Sequence, residues 1–364
     1  MTRTLRAVLV TLGDPGKLTG GYLFHRRLAD LAPRHEAHLE FVSFADRPFP
    51  SPCLDAPRVF AAAYGRQPHV LVLDSIAAAF AGPWLAIRPP RAPIIGMLHQ
   101  PPGGIDYGPL RTRAQAALDR LAYRRVARLM VASDSLAIDM RGLGYAPRRI
   151  AVVPPGRDVA TTIGTLPTQP RHGRKAAFLC VGNWVARKGI LELLEAFARL
   201  DSDSATLHLI GDENVEQAYG AAVRRRLEQS DLRQRVVAHG PLPVADVAAW
   251  YSAADAFVLP SRKEPFGTVY GEAMAFGLPV VGWRAGNLPY LAEHEREGVL
   301  VEPGDVAALA DALARLANDA ELRQRLGTAA RERALQRPTW DEVAEMFFGH
   351  LRAAVSHESY VRIT

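Results

Sequence analysis

The sequence predicts an α/β protein of two domains, each a mainly parallel sheet covered by helices on both faces. Three observations carry this prediction. A chain of 364 residues with 48% hydrophobic content can build two substantial cores, because a single core usually stops growing at roughly 250 residues. Apolar runs of strand length alternate with helical patterns from one end to the other, the habit of buried parallel strands joined by crossover helices. The alternation stops once, at 161–174, where Thr161, Thr162, Gly164, Pro167, Pro170 and Gly173 interrupt any apolar period and mark a linker. The domains are therefore expected at 1–160 and 175–338.

In the first domain the runs place strands at 7–12, 38–44, 69–74, 94–99, 128–133 and 150–153, with helices at 21–31, 112–126 and 135–141. In the second they place strands at 176–181, 207–211, 236–239, 256–259, 279–282 and 299–301, with helices at 190–200, 216–229, 244–252 and 268–276. Helical patterns at 306–317, 320–334 and 340–355 close the chain, and Pro338 separates the last two because proline fits only at a helix start or a break. Ligands of such sheets bind beyond the carboxyl ends of the strands.

Composition narrows the partners. Forty-four Lys and Arg against 38 Asp and Glu leave a net charge of +6, which suits anionic small molecules or an acidic membrane surface better than dedicated nucleic-acid binding. Cys53 and Cys180 are too few for a disulfide framework or a zinc site, so a reducing cytoplasm is the simplest compartment. The apolar run 7–10 after Arg3 and Arg6 is too brief for a signal peptide. The stretch 76–87 holds Pro83 and falls far short of the roughly 20 apolar residues of a spanning helix.

Lysine is scarce, confined to Lys17, Lys175, Lys188 and Lys263 in an arginine-rich chain; either arginine does not serve at those places or the four scatter by chance, the latter weakest for Lys188. Lys17 lies in a glycine-rich turn at 13–21, but a phosphate-cradling P-loop needs a glycine where Thr11 stands and a hydroxyl where Leu18 stands. What remains is a strand-to-helix turn in which Gly20 and Gly21 let the backbone approach a ligand at the positive end of the next helix; a purely structural turn explains it equally well.

The strongest constellation is Glu264-Pro-Phe-Gly-Thr-Val-Tyr-Gly-Glu272, with the strand 256–260 before it and Ala-Met-Ala-Phe-Gly-Leu-Pro-Val-Val after it. This reads as strand, loop, helix, glycine stop, strand. Glu264 stands in the loop, Gly267 and Thr268 present free amides to an anion, and Glu272 lies about one turn into the helix. Two carboxylates so placed can accept hydroxyl hydrogen bonds at opposite ends of one ligand while the amides hold its negative middle. The alternative, a capping Glu264 and a surface Glu272, requires several features to coincide.

These residues, with the turn from Val181-Gly182 to Arg187-Lys188-Gly189 and the late Val301-Glu-Pro-Gly-Asp305, resemble retaining glycosyltransferases of the GT-B fold, family 4 type. The likeness is specific over most of the second domain and looser over the first, where it rests on Gly20-Gly21 and His99. It implies two Rossmann-like domains facing across a cleft, with the last helix, 340–364, packing back on the first. It also implies an enzyme that moves a sugar from a UDP or GDP donor to an acceptor glycan, lipid or small molecule, with no metal and no cofactor. Glu264 then contacts sugar hydroxyls and Glu272 the ribose; Lys188 and Arg187 neutralise the diphosphate; Phe266, Gly267 and Thr268 lend amides; and His99 is the acceptor-side histidine beside the sugar. Domain closure brings Gly20, Gly21 and His99 against the donor.

Two departures stand out. Asn183 occupies the place after Val-Gly where the family often has arginine, and Ala285-Gly286-Asn287-Leu288-Pro289-Tyr290 replaces a Gly-Gly segment followed by glutamate. They motivate the alternative of a sugar-nucleotide or glycan binding protein of the same fold that has lost turnover; a GT-B epimerase is a separate alternative. Asp201-Ser-Asp203 has the Asp-x-Asp pattern of metal-dependent transferases but reads as a surface turn, and His35 and His38 lack a third ligand and read as exposed. Six arginines against one aspartate in 111–128 admit peripheral contact with an anionic membrane; an apolar stripe of Leu118, Leu121, Ala122 and Val126 under a solvated basic back is the plainer reading.

Overall fold

A computed structural model describes residues 4–16, 20–157 and 163–361, with side chains described through residue 356; Lys17 and the start of the expected linker lie outside them. The chain divides into two compact units, Met1–Gly156 with Pro338–Thr364, and Arg157–Arg337.

The first unit runs β1 (Leu5–Leu12), α1 (Gly20–Leu31), β2 (Ala37–Phe44), α2 (Ala56–Gly65), β3 (Val70–Asp74), α3 (Ser75–Ile87), β4 (Ile94–Leu98), α4 (Pro109–Tyr123), β5 (Arg128–Val131), α5 (Asp134–Gly142) and β6 (Ile150–Val152). Its sheet has the order β2-β1-β3-β4-β5-β6, and all its pairings are parallel. Every residue of β3 and β4 is buried, which follows from unbroken apolar runs covered on both faces. Two cores flank the sheet, one under α2, α3 and α5 and one under α1 and the carboxyl-terminal helix.

The second unit runs β7 (Ala176–Val181), α6 (Ile190–Ala198), β8 (Ala205–Ile210), α7 (Gln217–Leu227), β9 (Val236–Gly240), α8 (Val244–Ala253), β10 (Ala256–Val258), α9 (Thr268–Ala275), β11 (Val280–Trp283), α10 (Leu288–Leu291), β12 (Gly298–Val301), α11 (Val306–Asn318) and α12 (Ala320–Leu335). Its sheet order is β12-β11-β10-β7-β8-β9, again all parallel. The last helix, α13 (Trp340–Val361), belongs to the first unit, where Val343, Ala344, Phe347, Phe348 and Leu351 enter the core beside Phe24 and Leu28.

In each sheet the connections reverse direction once, between β1 and β3 in the first unit and between β7 and β10 in the second. Loops leave such a point to opposite sides and open a crevice at the strands' carboxyl ends. Both places carry the polar groups described below.

Strand positions agree with expectation to within a residue or two, but three helices were not expected, the single turn α10 and the longer α2 and α3. Nothing in the pattern marks α2, and α3 (SIAAAFAGPWLAI) is apolar around its circumference and contains Pro83, so it shows no amphipathic period. It folds because it is buried against α4: a Cβ on Gly82 would lie 2.2 Å from the Leu118 carbonyl oxygen. The carbonyl of Ala79, which loses its helical donor to Pro83, accepts from the Cys53 thiol at 3.8 Å.

Three further readings are corrected. Helix α4 begins at Pro109 and ends at Tyr123; of the expected stripe Ala122 and Val126 are buried, whereas Leu118 and Leu121 are half-buried and Gln115, Asp119 and Tyr123 take the inward places. Residues 164–174 are not a free linker but lie on the second unit: the Gly164 amide donates to the Ala245 carbonyl at 2.8 Å, Arg171 forms a forked pair with Asp255, and the Arg171 carbonyl accepts from Thr206 Oγ1. His35 is not exposed but stacks on Phe348 with ring centroids 5.8 Å apart. Among the described residues no helix is long and apolar enough to cross a membrane.

Candidate functional site

At the reversal point of the second unit, the loop after β7 and the loop after β10 are stitched together. Gly189 ends the turn after β7 in the left-handed region at φ 69°, and a Cβ there would sit 2.3 Å from the Pro260 carbonyl oxygen, so only glycine allows the contact. The Arg187 carbonyl accepts from the Arg262 amide at 2.8 Å and from Ser261 Oγ at 3.1 Å. This stitching delivers Lys188 to Glu264, whose Oε2 accepts directly from Nζ. Arg187 Nη1 lies 3.6 Å from the same oxygen and donates to the Lys263 carbonyl at 3.0 Å. The Lys188 and Glu264 side chains are only 10% and 14% exposed, so each compensates much of the other's desolvation.

Beyond Glu264 the chain turns through Gly267 at φ 81°, and α9 starts at Thr268 with no side chain capping its first turn. Its leading amides are therefore open to an anion at the positive end of the helix. The loop is held from the side by Asn287, whose amide nitrogen donates to the Glu264 carbonyl at 2.9 Å and whose Nδ2 donates to the Phe266 carbonyl at 2.8 Å. Glu272, one turn on, accepts from the Tyr251 hydroxyl at 3.0 Å. The Arg337 guanidinium lies over the Phe266 ring at 4.9 Å, and burial lowers its proton affinity against the opposing pull of Glu272. Asn183 carries no charge to this site; its Oδ1 accepts from the Asp212 amide at 3.1 Å and ties the loops after β7 and β8.

At the reversal point of the first unit lies a buried polar chain. Thr11, at the end of β1, donates to Asp74 Oδ2 at 2.7 Å; Asp74, at the end of β3, lies 3.6 Å from His25 Nδ1; and His25 Nε2 meets His99 Nε2 at 3.0 Å. His99 follows β4 and rests edge-on to Phe24 at 4.9 Å. Gly20 has open space around its Cβ direction, whereas a Cβ on Gly21 would lie 3.5 Å from His99 Cδ2. Burial pushes both imidazoles down to about 3 and pushes the Asp74 carboxyl up, so the histidines are neutral near pH 7. Among the described residues His25, Asp74 and His99 are the potential metal-ligand group, with donor atoms within 4.8 Å of one another. Asp74 faces Nδ1 of His25 at 3.6 Å and His99 faces Nε2 at 3.0 Å, so the three groups cluster around the buried His25 ring.

Sequence comparison decides the family. Residues 166–333 match glycosyl transferases group 1 and residues 3–156 match the glycosyl transferase 4-like domain. The chain belongs to the family-4-like, group 1 glycosyltransferases. It is 33% identical over 240 residues to D-inositol 3-phosphate glycosyltransferase of Pseudarthrobacter chlorophenolicus, covering 63% of this chain and 56% of that protein. It is 28% identical over 191 residues to a GDP-mannose-dependent α-(1-6)-phosphatidylinositol monomannoside mannosyltransferase of Mycobacterium tuberculosis, covering 50% and 49%. The chain thus spans about half the length of the curated relatives it matches. Among solved structures, HepE of Anabaena in complex with UDP and glucose superimposes with a TM-score of 0.78 at 21% identity over 95% of this chain and 99% of that one. Sucrose-phosphate synthase of Thermosynechococcus elongatus gives 0.81 at 20% identity over 97% and 100%. The fold of this family-4-like chain is therefore GT-B.

Of the residues expected at the site, Lys188, Arg187 and Glu264 come together in direct contact; Phe266, Gly267 and Thr268 continue the same loop into α9, and Glu272 follows on that helix. Gly21 and His99 meet in the first unit. Sequence reasoning met Asn287 only as a departure from the family pattern, and missed Tyr251 and Arg337 around the loop and His25 and Asp74 behind His99. Two signals were available: His25 lies four residues after Gly21, on the same helical face, and Asp74 ends an apolar strand as His99 follows one.

Proposed function

We propose that this family-4-like chain is a glycosyltransferase that moves a sugar from a nucleoside diphosphate to an acceptor hydroxyl with retention at the anomeric carbon and without a metal. The observation that carries this reading is the Lys188–Glu264 pair, flanked by Arg187 and set before the uncapped start of α9. A donor diphosphate would draw Lys188 and Arg187 onto its oxygens and take hydrogen bonds from the α9 amides. Glu264, released from Lys188, would then accept hydroxyls of the sugar, while Glu272, oriented by Tyr251, would accept from the ribose.

In the transfer, the bond from the anomeric carbon to the diphosphate oxygen breaks and the bond to the acceptor oxygen forms on the same face. The acceptor's proton passes to the departing diphosphate, and the cations and amides stabilise the charge that accumulates there. His99 of the first unit is the proposed acceptor-side group. The complex of HepE with UDP and glucose supports a nucleotide-sugar donor, and the GDP-mannose dependence of the mycobacterial relative keeps guanosine donors in the test. A thermal-shift screen across nucleoside diphosphates, repeated with EDTA, should raise the melting temperature with one base and not depend on metal. NMR of the product should show the donor's anomeric configuration. Binding without release of nucleotide in any acceptor mixture overturns the enzymatic reading, and an inverted product overturns retention.

A further inference from the structure

We infer that Asp74 and His25 form a positioning relay that selects the tautomer of His99 and leaves its Nδ1 as a hydrogen-bond acceptor toward a docking hydroxyl. The inference deepens the proposed function and rests on it for the role of His99. The relay's geometry stands on the first unit's own residues.

Asp74 receives three donors, Thr11 Oγ1 at 2.7 Å, Ser75 Oγ at 3.3 Å and the Ile76 amide at 3.3 Å. Although burial pushes its proton affinity up, this convergence is what a carboxylate attracts. The group facing it, His25 Nδ1, is fully buried and has no hydrogen-bond partner among the described residues. Beside a carboxylate at 3.6 Å that nitrogen carries the proton. A neutral His25 then has a bare Nε2, and the atom 3.0 Å away, His99 Nε2, must be the donor. A neutral His99 whose proton is on Nε2 has a lone pair at Nδ1. The ring cannot readily turn out of this arrangement: Phe24 packs edge-on against it, its Cδ2 edge faces Gly21, and its backbone amide donates to Ser75 Oγ at 3.2 Å. Burial keeps both rings neutral at physiological pH, which is the condition for a tautomer, rather than a charge, to be what passes along the chain.

The relay lies where β1, β3 and α1 meet, at the sheet's reversal, so it ends at the place where this topology exposes ligands. Its logic requires Asp74 to act through His25. Neither residue is assigned a contact with substrate.

The test is two-bond ¹H–¹⁵N correlation NMR of ¹⁵N-histidine-labelled full-length protein, which distinguishes Nδ1–H from Nε2–H imidazoles, combined with steady-state kinetics. The wild type should show His25 as the Nδ1–H and His99 as the Nε2–H tautomer. Asp74→Asn, which retains an oxygen for Thr11, should mix the tautomers of both rings and lower kcat by about 100-fold, with the KM for donor changed less than about twofold. His25→Gln should free His99 in the same way. A wild-type His99 protonated at Nδ1, or an Asp74→Asn protein with unaltered tautomers and kcat, overturns the relay. So does stoichiometric Zn²⁺ binding that abolishes the histidine signals, which would make the cluster a metal site. Absence of turnover in the wild type would defeat the proposed function, while the tautomer measurement would still decide the relay.

Discussion

The two sheets reverse at equivalent points and use the resulting crevices in opposite ways. In the second unit the loops bring together charges, Lys188 and Arg187 on Glu264, with an uncapped helix start behind them. In the first unit the strand ends bring together neutral imidazoles and one carboxylate, nearly all out of reach of water. The same topology thus supplies a place and not a chemistry. A charged crevice suits a ligand that brings its own charge and exchanges partners with the protein. A buried cluster of neutral imidazoles beside one carboxylate suits a group that must present one lone pair in one direction.

If charge is what distinguishes the second unit, Glu264→Gln should have the largest effect. It retains a hydrogen-bond acceptor for Lys188 but no negative charge, and transfer should fall by about 100- to 1,000-fold in a protein that stays folded with a lowered melting temperature, because the Lys188 charge loses its buried partner; rates near wild type would break the comparison. Lys188→Ala should come next. Removing a charge-assisted donor costs about 1.5–3 kcal/mol, so nucleoside diphosphate affinity by calorimetry should drop by roughly 10- to 100-fold. Asn287→Ala removes the side-chain bond to Phe266 but no charge, and should weaken donor binding by about fivefold, in line with about 1 kcal/mol for a neutral hydrogen bond.

The change with the least effect on transfer belongs to the first unit and sharpens the contrast. Burial raises the carboxyl of Asp119 to about 7, against about 3.9 in an unfolded chain. The folded state therefore holds a proton that the unfolded state has lost between about pH 4 and pH 7, and stability falls as pH rises through that range. Asp119→Asn keeps an acceptor for the Gly103 amide, which donates to Asp119 at 2.8 Å, and has no proton to lose. Urea denaturation should find the variant close to wild type at pH 4 and about 4 kcal/mol more stable at pH 8, at about 1.4 kcal/mol per pKa unit; a gain that is the same at both values removes the titration as its cause.

Most of the second unit's site was legible in the sequence because its parts are near one another along the chain. Gly189 after Lys188 and Gly267 after Phe266 announce turns; the helix after Gly189 is clearly amphipathic, and α9 is read from the strand and loop before it and the glycine stop after it. Asn287 was legible only as a departure from a family pattern; its value as a clamp on Glu264 depends on β11 lying beside β10. His25 and Asp74 gave weaker signals because their meaning depends on α1, β3 and β4 converging. Helix α3 escaped for a different reason: a helix buried all round has no polar face to set a period, and Pro83 argues locally against it. Gln115 and Asp119 on the buried face of α4 also ran against the rule that places leucines inward.

The order of residues alone specified the alternation of strands and helices, the two-unit plan, and the loop that carries Glu264 to Glu272. These are set by interactions among neighbours along the chain: apolar period, turn chemistry and the missing amide of proline. The assembled fold decided which strand ends adjoin, that Lys188 pairs with Glu264, and that His25 stands between Asp74 and His99. It also set the proton affinities of His25, Asp74 and His99, because they depend on how much water is excluded and on which charges face one another, and both arise from residues far apart in the chain.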